Sequence, residues 1–98
     1  MNIICSILNS DTSKNVDNII DISLIENNNV LCSQQCKQNI FCEQLPVMIN
    51  NIFIFLKKKY DKNCINNIKY ETNFKAEDSL TTYRIFKSFT QGMLIKKM

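Results

Sequence analysis

Pro46-Val-Met-Ile-Asn-Asn-Ile-Phe-Ile-Phe-Leu-Lys-Lys-Lys-Tyr-Asp-Lys62 is the stretch from which the rest of this chain is read. Ile49, Ile52, Phe53, Leu56 and Tyr60 recur at helical spacing and form one apolar stripe, which predicts an amphipathic helix from Pro46 to about Lys62. Proline suits the first turn of such a helix, where its fixed φ helps and its missing N–H costs nothing. Lys57, Lys58, Lys59 and Lys62 gather at the C-terminal end. The negative pole of a helix dipole is satisfied by one or two cations, so the surplus points to an anionic partner.

Outward from this helix, the charge is unevenly distributed. Residues 1–46 hold two lysines against five acids, whereas residues 57–98 hold ten basic side chains against four acids. The net charge of +3 therefore conceals an acidic first half and a basic second half. With 98 residues, 45% of them hydrophobic, the chain supports one compact domain over residues 1–98. A single Gly and a single Pro argue against long linkers. The opening Met1-Asn-Ile-Ile-Cys-Ser-Ile-Leu8 lacks the cationic lead of a signal peptide. Asn50 and Asn51 interrupt the longest apolar run, so no membrane span is expected and a cytoplasmic location is.

Periodicity supplies the remaining elements. Asn2 to Leu8 reads as a strand, with Ile3, Cys5 and Ile7 on one face. Asn9 to Ser13 offers helix N-caps, Asp17 suits a first turn, and Val16, Ile19, Ile20 and Leu24 follow at helical spacing to about Ile25. Asn27-Asn28-Asn29 supplies a left-handed stop. Val30 to Cys36 and Asn39 to Leu45 read as short strands, the first at a sheet edge because Ser33-Gln34-Gln35 is polar. Ile68, Tyr70, Thr72 and Phe74 alternate with Lys69, Glu71, Asn73 and Lys75 as a half-buried strand, and Thr81 to Phe89 reads as its hairpin partner. The expected fold is α+β: one mixed sheet with two helices packed on one face, in the order β-α-β-β-α-β-β. The final hairpin would bear Lys69, Lys75, Arg84 and Lys87 and extend the cationic patch.

This expected order of elements resembles the eukaryote-specific ribosomal protein twenty-two family of the large subunit. Three segments carry the likeness: Asp17-Asn-Ile-Ile-Asp21, the proline-led helix ending Leu56-Lys-Lys-Lys-Tyr-Asp-Lys-Asn63, and Asn73-Phe-Lys-Ala-Glu-Asp-Ser79 followed by Leu80 to Phe86. Departures accompany it, two of them inside the chain. Asn27-Asn28-Asn29 stands where the family has a glycine-rich connection, and Cys32-Ser-Gln-Gln-Cys36 where it has basic residues, with only Lys37 retained. The resemblance implies a structural constituent of the large ribosomal subunit, with ribosomal RNA and neighbouring ribosomal proteins as partners and no membrane or small-molecule substrate. RNA would be held by Lys57, Lys58, Lys59, Lys62, Lys69, Lys75, Arg84 and Lys87. Such a cluster neutralises phosphates and recognises the shape of folded RNA rather than base sequence.

Other chemistries have less in the sequence to support them. Cys32, Cys36, Cys42 and Cys64 lack paired C-x2-C spacing, and the chain has no histidine, so neither a metal nor another cofactor is expected. No C-x-x-C motif supports redox work, and Cys5, Cys42 and Cys64 are expected to be buried as small apolar residues. Tyr60, Tyr70, Tyr83 and Phe86 are expected in the core rather than stacked on bases. With no glycine-rich phosphate loop, and with Asp17, Asp21 and Glu26 on a solvated helix face, an enzyme is not expected. The alternative function is a small intracellular protein-interaction module whose basic face meets an acidic protein. A secreted, disulfide-bonded helical domain is a distant third reading, disfavoured by the absent signal and the alternating final residues.

Overall fold

The computed structural model describes residues 1–8 and 18–97, the side chains of 94–97 excepted. Strands β1 (Asn2–Leu8), β2 (Ile19–Glu26) and β3 (Asn29–Lys37) form an antiparallel meander. A 3₁₀ turn (Gln38–Ile40) leads into α1 (Phe41–Lys59) and the short α2 (Lys62–Asn66), before β4 (Lys69–Thr72) and α3 (Leu80–Lys97). The sheet order is β3-β2-β1-β4, with β4 parallel to β1. The fold is therefore α+β, a mixed sheet with its two long helices on one face, but its element order differs from the expected one.

The first helix expected from Val16 to Ile25 is a strand over its described part. Val16, Asp17 and the turn cluster at 9–13 lie outside the described residues. Ile20, Ile22 and Leu24 alternate with Asp21 and Ser23, and this period of two places all three fully in the core, opposite Ile7, Cys5 and Ile3. Asn27 and Asn28 do adopt the left-handed conformation, with φ of 52° and 65°, but they close a two-residue hairpin rather than end a helix. Positive φ at both positions gives the turn the twist of its flanking strands, and asparagine tolerates that geometry. β3 is the edge strand the sequence indicated, with a bulge opposite Leu24/Ile25.

Asn39 to Leu45 forms no strand. The helix starts at Phe41, and Phe41, Leu45, Met48, Ile49, Ile52 and Leu56 make its buried stripe. Pro46 consequently lies inside α1, on its exposed side, where the carbonyl deprived of a partner belongs to the exposed Cys42. Within Gln38–Lys59 an 18-residue window has a mean hydropathy of 1.3, apolar enough by composition to cross a membrane, contrary to the expectation that no stretch approaches a span. Here its most apolar face meets the sheet, and Asn50 and Asn51 lie exposed beside that face.

The last correction concerns Thr81 to Phe89, which is helix and not the second arm of a hairpin. Thr82, Phe86 and Thr90 are buried at four-residue spacing, and Phe86 joins the same core as Ile3, Cys5, Ile22 and Ile52. Gln38 ties the start of α3 to the sheet. Its Nε2 donates to Ser79 Oγ (2.6 Å) and Thr82 Oγ1 (2.9 Å), its Oε1 accepts from Asn18 Nδ2 (3.0 Å), and its backbone N–H donates to the Asn18 carbonyl (2.8 Å).

Candidate nucleic-acid interface

Lys57, Lys58 and Lys59 fill the last turn of α1 and are all exposed. The helix stops at Tyr60, which turns extended (φ −133°, ψ 152°) while its N–H still donates to the Leu56 carbonyl at 2.8 Å. Three cations at an exposed C-terminus add their charge where the helix carbonyls already favour it. Lys59 is held in part by the ring of Phe55, 4.9 Å from its centroid.

Asp61, the acid within this lysine run, is committed elsewhere. Its Oδ1 accepts the Cys64 backbone N–H at 3.0 Å as the N-cap of α2, and that hydrogen bond lowers its pKa. Lys62 follows as the first, exposed residue of α2. Lys69 then opens β4 at the same end of the sheet, where its N–H donates to the Met1 carbonyl at 3.1 Å. Two acids lie on this side: Glu26 at the end of β2, and the exposed Glu71 on β4, which lines the same groove as Lys69. The pKa of the Tyr60 phenol is raised by burial first and by the Glu26 charge second.

The structure divides the remaining expected residues. Lys69 alone of the supposed hairpin cations lies in a strand; Lys75 sits in the connection after β4, and Arg84 and Lys87 lie on α3. Lys87 rests over the Tyr83 ring at 5.4 Å and, with Lys69, Tyr70, Thr90 and others, lines a groove of about 470 Å³. Lys69 and Lys87 thus share one groove beside the lysine-tipped end. Lys75 and Arg84 belong to the opposite end, where Gln38 meets Ser79 and Thr82.

Sequence reasoning missed Gln38, Asp61 and Asp78 as local organisers. Asp78 accepts the Lys75 N–H through Oδ2 at 3.0 Å, and its own N–H returns to the Lys75 carbonyl at 3.0 Å. The signal for Asp61 was an Asp three residues before the amide it caps, a common helix-start spacing. Gln38 carried no such local mark, because its hydroxyl partners lie more than forty residues away in sequence.

The cysteines and aromatics sort differently from the expectation. Cys5 is buried, and burial pushes its thiol up to about 12, but Cys42 and Cys64 are exposed rather than buried. Among the described residues no three His, Cys, Asp or Glu side chains group as metal ligands. Phe86 is fully buried, whereas Tyr60, Tyr70 and Tyr83 are half-buried. Asp21 lies not on a helix but on the uncovered face of the sheet, where it accepts hydrogen bonds from Ser23 Oγ and from Gln35 Nε2, the latter at 3.1 Å. Compared with protein-family models, curated proteins and solved structures, the chain matches none.

Proposed function

We propose that this protein is a non-catalytic RNA-binding protein whose lysine-tipped end docks on the phosphates of folded RNA. The large ribosomal subunit as its setting rests on the lysine-tipped helix segment of the sequence resemblance, because the segment after β1 and the expected last hairpin fold as a strand and a helix instead. The observation that carries the reading is the exposed run Lys57-Lys58-Lys59, followed by Lys62 and Lys69 on the same end of the fold, while the acid among them caps a helix. A rigid helix end fixes the spacing of its cations, which suits contact with backbone phosphates and carries no base information. Lys87 shares a groove with Lys69, where Glu71 offsets one of the two positive charges.

Sedimentation of a cell lysate through a sucrose gradient, with the protein followed by antibody, tests the reading. The protein is expected to travel with the large subunit at low salt and to be shed as salt rises. A variant carrying Lys57→Glu, Lys59→Glu and Lys62→Glu is expected to stay at the top of the gradient while remaining folded. Wild-type protein at the top at every salt concentration would contradict the ribosomal assignment.

A further inference from the structure

We infer that two copies of this chain associate about a two-fold axis through β3 and α1, joining their sheets edge to edge and packing α1 antiparallel against its copy. The inference concerns the surface opposite β4 and stands apart from the proposed RNA contact, with Lys58 alone common to both.

β3 is the outer strand of the sheet, so every second backbone N–H and C=O along its nine residues points away from β2. Such edges are ordinarily blunted by proline or charge, and Cys32 to Cys36 carries neither. α1 lies chiefly over this strand and its neighbour β2, which places the helix beside the open edge. Its outer side exposes two large apolar residues, Val47 at 50% and Ile54 at 45%. With Gln44, Asn51 and Lys58 they form a stripe at alternating spacings of three and four, the pattern of a helix-pairing seam.

The occupant of this surface follows from its symmetry. Val47 and Ile54 lie equally far from a midpoint between Asn50 and Asn51, and so do the exposed Glu43 and Lys58. An antiparallel copy of α1 centred there sets Val47 against the partner's Ile54, and Glu43 against the partner's Lys58, twice over. The strand has its centre at the same place. Asn51 Nδ2 donates to Gln34 Oε1 at 3.2 Å, and Gln34 is next to Ser33, the middle residue of β3. One axis therefore pairs strand with strand and helix with helix, as an isologous interface requires.

Sedimentation equilibrium of the full chain, from about 1 to about 300 µM, is the test, since small interfaces associate in this range. The expected result is a reversible shift from 11.5 kDa toward twice that mass. Val47→Lys with Ile54→Lys should weaken association more than about tenfold at two exposed sites that leave the core intact. Glu43→Lys should weaken it too, and Glu43→Lys with Lys58→Glu should restore it, because reversing both charges recreates each pair. Amide exchange along β3 of the wild type should slow as concentration rises, a readout that depends on no variant. A monomer throughout, a dimer indifferent to the Val47 and Ile54 changes, a charge swap without rescue, or β3 exchange independent of concentration would each overturn the inference.

Discussion

Pro46 and Gln38 are the residues on which local and tertiary demands part company. A proline inside a helix removes one hydrogen bond and crowds the preceding turn, a cost of about 3 kcal/mol in a helix interior. α1 bears it because its buried stripe starts at Phe41, before the proline, and burying Phe41 and Leu45 contributes about 1.5–3 kcal/mol each. Pro46→Ala is accordingly expected to stabilise the protein by about 1–2 kcal/mol, read as a higher urea midpoint at unchanged slope. Gln38 acts in the opposite sense. Its side chain joins Asn18, Ser79 and Thr82, so Gln38→Leu removes three hydrogen bonds at once, although Ser79 Oγ still donates to Thr82 Oγ1 at 3.0 Å. The expected loss is about 2–4 kcal/mol in the same titration, and an unchanged midpoint would show that water replaces the amide without cost. Proline at a helix start is a sound local rule, and reading Pro46 that way hid the first turn of α1. No rule of spacing reveals Gln38, because its partners come together only when the fold closes.

At the scale of elements, the legible parts were those whose pattern fits one period. β1 alternates cleanly, β3 reads as a polar edge strand, and the middle of α1 holds a stripe that only a helix brings together. β2 and α3 were misread for the same reason, each fitting two periods over a short window. Ile19, Ile20 and Leu24 suit a helix, but Ile20, Ile22 and Leu24 suit a strand, and the latter set meets Ile7, Cys5 and Ile3 across the sheet. Thr81 to Phe89 is rich in β-branched and aromatic residues, yet Thr82, Phe86 and Thr90 fall on one helical face over the core. Tertiary burial decided both cases against local propensity.

The adjacent strands β1 and β4 also set a pH response. Cys5 on β1 and Tyr70 on β4 are both pushed up to about 12 by burial, from ordinary values of 9.0 and 10.0. The folded protein thus holds these protons after the unfolded chain has released them, so stability is complete below about pH 9 and falls as pH rises toward 12. Denaturant midpoints taken across that range should decline steadily. At neutral pH a thiol reagent should modify the exposed Cys42 quickly, the exposed Cys64 more slowly because the neighbouring Asp61 raises its pKa, and the buried Cys5 only on unfolding. Equal rates for all the cysteines would mean that the β1 core opens readily.

For the whole molecule, the decisive feature is the separation of charge from fold. The basic second half was legible from composition, and the lysine-tipped end of α1 is where the sequence put it. The extension of that patch along a terminal hairpin was not, because the hairpin is a helix and its cations are shared between two ends of the domain. Lys57, Lys58, Lys59, Lys62 and Lys69 remain on one end, with Lys87 reaching it through the groove. With about four to six phosphate contacts from this set, log K should fall against log salt with a slope of about −3 to −5.

A fluorescence-anisotropy titration of the purified chain against a folded RNA hairpin, repeated over a series of salt concentrations, tests the central claim most directly. The account predicts binding with that slope, lost by more than about tenfold when Lys57, Lys59 and Lys62 become glutamate, with the fold intact by circular dichroism. Binding that ignores salt, or survives the three reversals, would contradict it.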